Sequence, residues 1–167
     1  YLRDVYLPWL KYFVIAAALS YTAVWGEYLY SFQSINRQFT PDLFAGMEPQ
    51  QKLVGLIYAT DYRGRNVYIH FPNYYIVWHK GIAASKIIDY RFGVVRRVAP
   101  ESELPFYHEY IGENYALQPE YQNVDYLLVR GVSPVKNDGN LVNFTSWREA
   151  GVWKLYRKNS LNAAAEP

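Results

Sequence analysis

Cysteine is absent from this chain, which excludes disulfides, iron–sulfur clusters, thiolate zinc sites and cysteine nucleophiles together. Charge of one sign is scarce as well. Seventeen basic against fifteen acidic side chains leave a net charge of +2 with no long run of either sign, so the electrostatic footprint of a nucleic-acid binder is missing. The three histidines, His70, His79 and His108, stand in no HxxxH or HExxH frame, and a metal site built on them would need carboxylates delivered by the fold. No dinucleotide-binding glycine loop, P-loop, nucleophile elbow or protein-kinase signature occurs, and no cofactor is expected. Internal repeats and low-complexity tracts are also lacking. Long uncharged runs are limited to one, Tyr12 to Gly26.

Aromatic side chains, by contrast, make up 19% of the residues, a bias that favours interfaces and membrane-adjacent surfaces as well as ordinary cores. They frame the one apolar run. Between Trp9 and Tyr28 the chain is almost wholly apolar, and as a helix it would cover roughly 28 Å, close to the hydrocarbon thickness of a bilayer. Tyr6, Trp9 and Tyr12 would lie near one headgroup layer, and Tyr21, Trp25, Tyr28 and Tyr30 near the other, as aromatic belts require. The expectation is a membrane-spanning or membrane-docking helix over residues 1–40, with a buried core helix as the alternative. Its continuation past Glu27 carries Tyr28, Phe32, Ile35 and Phe39 at spacings of three and four, one apolar stripe ended by Thr40-Pro41. Because Tyr1 is no natural beginning, the chain is expected to be a piece of a longer protein.

Residues 41–158 read as one α/β domain, followed by a flexible tail over 159–167. Lys52 to Tyr58 is a near-continuous apolar run of strand length, as in a central strand covered on both faces. Thr60 to Asn66 follows as a polar loop at its C-terminal end, where open α/β sheets hold ligands. Phe71 to Lys80 reads as a helix with Pro72 at its first turn and Gly81 as its stop. Further strands are expected at 85–90, 124–130 and 152–157, with at most a short helix over 145–150 and another around 106–110. The segment 98–123 shows too little periodicity to place. The fold class expected is a small, mainly parallel, three-layer α/β sheet of about four strands, the last open to either direction, behind a long hydrophobic helix.

Candidate binding residues gather after the first strand. Asp61 could hold a hydroxyl-rich ligand or fix its own turn. His70, with Asn73 and Tyr74 just beyond it, stands where a side chain or a helix N-terminus could meet an anion or a sugar. No constellation of catalytic residues is visible. Asn143-Phe-Thr145 matches the N-glycosylation sequon, which counts only in a eukaryotic lumenal setting.

The order of features carries a resemblance: a hydrophobic helix, then Val54-Gly-Leu-Ile-Tyr58, His70-Phe-Pro-Asn-Tyr-Tyr75 with Gly81, Asp125-Tyr-Leu-Leu-Val129 and a terminal Gly151-Val-Trp-Lys-Leu-Tyr156. It resembles the C-terminal extramembrane domain of bacterial polytopic GT-C-like glycosyltransferases, of the dolichyl-phosphate-mannose and aminoarabinose transferase type. That resemblance implies a parent whose catalytic acidic residue lies in a membrane-embedded part with no counterpart here. It implies an accessory, noncatalytic domain on the periplasmic side of the inner membrane, capping a cavity or helping to hold acceptor or lipid-linked sugar. Its partners would be membrane lipid or the parent's transmembrane bundle, with no nucleic acid. Arg3 and Lys11 before the helix and Glu27 after it agree with an outward-facing domain. Two rivals remain open at this point: a small sugar-binding domain using the loop from Asp61 to His70, and an assembly module docking a partner through a tyrosine-rich surface.

Overall fold

The computed structural model describes residues 8–83, 124–133 and 139–159. The chain divides into two compact units, Tyr1–Arg37 and Gln38–Pro167.

The first unit holds α1, Pro8–Asn36. Proline opens it, where its missing N–H costs nothing, and Ala and Leu fill its interior with strong helix formers. Two polar side chains are spent on the helix's own carbonyls: Thr22 Oγ1 donates to Ala18 O at 2.9 Å and Asn36 Nδ2 to Phe32 O at 2.8 Å. No helix among the described residues is long and apolar enough to cross a membrane. α1 has 29 residues, but Lys11, Glu27 and the hydroxyl- and ring-bearing side chains between them dilute its apolar content. The helix also stops earlier than its stripe suggests. Phe39 lies beyond it, in the second unit, and is buried there.

The second unit is a mixed five-stranded sheet of β1 (Lys52–Ile57), β4 (Ile82–Ala83), β5 (Tyr126–Arg130), β6 (Phe144–Ala150) and β7 (Trp153–Lys158), in the order β4-β1-β5-β7-β6. A small hairpin of β2 (Asp61–Tyr62) and β3 (Arg65–Asn66) stands apart, and α2 (Asn73–His79) links it to β4. β1 runs parallel to both β4 and β5, whereas β7 is antiparallel to β5 and β6. The expectation of a mainly parallel sheet of about four strands is therefore right in class and roughly right in arrangement: the sheet is mixed and has five strands, and its last strand takes the antiparallel direction, one of the two left open by the sequence. Residues 145–150 are strand rather than helix, because Gly151 at φ +63° lets the chain reverse into β7 and pair along its length. The strand expected at 85–90 and the helix expected near 106–110 lie outside the described residues.

β1 and β5 are central, and both are buried nearly throughout, as their unbroken apolar runs require. On one face Val54, Leu56, Val124, Leu127 and Val129 form a cluster joined by Tyr58, Leu141, Phe144 and Tyr156. The other face lies under aromatic rings. Phe39 is their hub, with centroids of Phe71, Trp78 and Trp153 at 5.0, 5.3 and 4.6 Å. Asp125 ties the entry of this sheet: its carboxylate accepts from Lys52 N at 2.7 Å while its own N–H donates to Lys52 O at 2.9 Å.

α2 ends on Lys80, which takes the left-handed conformation at φ 54°, not on Gly81 as expected. Gly81 is needed for another reason: a Cβ there would fall 2.0 Å from the ring of Tyr75. That ring is fully buried, and its hydroxyl donates to Gln51 O at 3.1 Å. Burial, aided by Tyr126 and Asp125, pushes the Tyr75 hydroxyl up to about 12. A phenol whose folded value lies above its unfolded value of about 10 is favoured in its neutral form, so its contribution to stability is complete below that pH. Stability should then fall between about pH 10 and 12. Tyr75→Phe should flatten that alkaline limb, and urea denaturation repeated across pH 8 to 12 would check it; an unchanged limb in the variant would assign the effect elsewhere.

Candidate functional site

The parallel pairs place the sheet's ligand-binding edge. From β1 the chain crosses through α2 to β4 on one side, while β5 lies on the other, so the carboxyl ends of β1 and β5 flank a topological switch point, the usual position for ligands in such sheets. The last pair in the register is Ile57 with Arg130.

Arg130 is the one charged residue in the core of the described chain, 8% exposed. Its backbone carbonyl accepts from both Tyr58 N and Ala59 N, at 3.0 and 3.1 Å, and its Nη1 donates to Ala59 O. Gly131, at φ +87°, makes this approach possible, since a Cβ there would stand 2.8 Å from that of Ala59. The guanidinium carbon lies 3.4 Å from the centroid of Tyr68 and 5.6 Å from that of Trp153, a cation–π arrangement strengthened by exclusion of water. Arg130 Nε is buried with no acceptor among the described residues. Burial lowers the guanidinium's pKa, and the Tyr68 hydroxyl and the Asp61 carboxylate oppose that shift.

Of the residues singled out from the sequence, Asp61 is the one brought to this place. It is exposed, opens β2, and acts on Arg130 through its field. The hairpin turn uses Arg63 and Gly64 at positive φ, and Val67 N and Tyr68 N both return to Thr60 O at 3.1 and 3.3 Å. That return sets Tyr68 over Arg130. His70 is exposed and precedes α2, and Asn73 opens the helix with its Oδ1 buried and without a donor. Tyr74, 43% exposed, leans on Phe39, Phe71 and Trp78. At the start of α2, Asn73 N, Tyr74 N and Tyr75 N donate to the His70, Phe71 and Pro72 carbonyls at 3.0 to 3.1 Å, so these first-turn donors are engaged within the chain. Sequence reasoning missed Arg130 and Tyr68. The available signal was one arginine closing an otherwise apolar strand directly before a glycine.

An open cleft of about 260 Å³ lies elsewhere, between Gln38, Thr40, Asp42, Leu43 and the end of β6. Its Arg148 is engaged by the carbonyl of Asp42 at 2.7 Å. The strand-end position has the stronger chemistry, because among the described residues only there is a charge withdrawn from water without an opposite charge in ion-pair contact.

No family profile, curated protein or solved structure matches this chain.

Proposed function

We propose that the chain is an accessory, noncatalytic α/β domain held to a membrane assembly by α1, beside a glycosyltransferase that uses a lipid-linked sugar. The observation that carries the reading is α1 itself. Trp9, Leu10, Phe13, Val14, Ile15 and Leu19 are all exposed, and at about 100° per residue they point in every direction around the axis. A helix apolar on all sides is one that other apolar matter encloses. A helix lying flat on lipid would gather its apolar side chains on one face; α1 is not apolar enough to cross a bilayer, so docking against neighbouring apolar helices at the membrane boundary fits better. Lys11 can keep its ammonium in the headgroup layer while its methylenes stay in apolar surroundings. The transferase context comes from the resemblance in feature order, and the α/β unit would cap the transferase cavity or assist acceptor binding on the periplasmic side.

The full chain should pellet with phosphatidylcholine vesicles and require detergent for extraction. Ile15→Asp with Leu19→Asp should abolish this, since each charge in an apolar medium costs about 3 kcal/mol. A chain that stays monomeric in buffer without detergent would sink the proposal.

A further inference from the structure

The geometry points to an oxyanion site at the carboxyl ends of β1 and β5, in which Arg130 holds the phosphate of a glycosyl phosphate. Three observations meet there. Arg130 is more than nine-tenths buried, yet no carboxylate among the described residues lies within ion-pair distance of it, and its Nε–H has no acceptor. Buried charges are normally paired, and a buried donor without an acceptor is costly. A bound oxyanion supplies both the missing charge and the missing acceptor, and guanidinium matches phosphate geometry better than any other side chain. The position is the switch point of the sheet, where the fold itself places ligands.

The neighbours select phosphate over a singly charged carboxylate. The hairpin that opens with Asp61 carries Arg63 and Arg65, both exposed, so among the described residues of this hairpin and of the end of β5 three arginines accompany one acidic group. Asp61 is the element that works against an anion: its field already stabilises Arg130, and an incoming phosphate must compete with it. In a glycosyl phosphate the same carboxylate is suited to accept a sugar hydroxyl, which offsets that competition. The identity of the attached sugar rests on the proposed function; the anion site does not.

Two-dimensional ¹H–¹⁵N spectra of the full chain in micelles report the Arg130 Nε–H directly. Inorganic phosphate and a hexose 1-phosphate are the soluble probes, and phosphatidylcholine vesicles with and without polyprenyl phosphate are the lipid arm. The Arg130 signal should shift with the soluble probes if phosphate itself suffices, or only with the polyprenyl phosphate vesicles if the lipid is the source; no shift in any arm overturns the site. Arg130→Gln should weaken binding at least tenfold, by roughly the worth of one charged bidentate contact. Should that variant fail to fold, Asp61→Asn decides: it lies on the surface and should tighten inorganic phosphate binding by roughly threefold to tenfold through loss of like-charge repulsion. Unchanged or weaker binding by Asp61→Asn of the sugar-free probe that shifts the Arg130 signal, inorganic phosphate or polyprenyl phosphate, refutes the proposal. Soluble-phosphate binding by a chain that ignores vesicles leaves the site standing and removes only the membrane reading.

Discussion

Trp153→Ala should cost the second unit about 4 kcal/mol of stability, in the range found for emptying a fully buried large aromatic position. Trp153 has no exposure at all. It lies parallel to Phe71, with an interplanar angle of 10° and centroids 5.0 Å apart, and it touches Phe39 and Tyr68 at 4.6 and 5.9 Å. Removing it opens the space beneath three rings and also uncovers Arg130, whose register partner it is. Against a typical total of 5–15 kcal/mol, that loss leaves little. Trp153→Phe should recover most of it, because the indole N–H has no hydrogen-bond partner to lose. Urea titration followed by far-ultraviolet circular dichroism measures both. A loss under about 1.5 kcal/mol for the alanine variant would mean that the ring layer is not the keystone of this face.

Gly55→Ala is the second severe substitution, and it acts by insertion. A Cβ at position 55 would stand 2.1 Å from Pro72 Cγ and 3.1 Å from Pro72 Cβ. The obstructing atoms belong to a closed ring at the start of α2, so they cannot swing aside as a flexible side chain would. Gly55 is in the middle of β1, with Leu128 directly across, which leaves no room for the strand to retreat. Overpacking of this kind costs about 3 kcal/mol. The double variant Gly55→Ala with Pro72→Ala should regain a good part of that loss, giving a coupling of about 1–2 kcal/mol between residues in contact. Strict additivity in the thermal or urea midpoints would show that the two residues do not meet.

How far these positions were legible in the sequence differs between them. β1 and β5 could be read outright, because a strand buried on both faces must be apolar without alternation, and Leu53 to Ile57 and Tyr126 to Val129 are. α2 was readable from Phe71, Tyr74, Tyr75 and Trp78 sharing a face. β6 was not: Phe144–Ala150 is half exposed along its length and bulged between Ser146 and Arg148, so its pattern is neither a clean alternation nor a helical stripe. The left-handed turn at Lys80 was equally hidden, and the direction of β7 could only be left open, since both follow from pairing and packing partners distant in the chain. Among the site residues, Asp61 was visible as a polar residue after a central strand, whereas Arg130 looked like the ordinary charged end of one.

By composition and pattern alone, the chain is cysteine-free, α/β in class, and headed by a long apolar helix framed in aromatic residues. Those are properties of local spacing and residue type, and they need no partner to be expressed. Tertiary structure alone decided that the sheet is mixed, that Phe39 leaves the helix stripe to become the centre of a ring layer, and that Tyr68 closes over Arg130. The reason is one of range: periodicity records which faces are buried, but which residues meet there depends on register between segments some seventy positions apart, as Ile57 and Arg130 are.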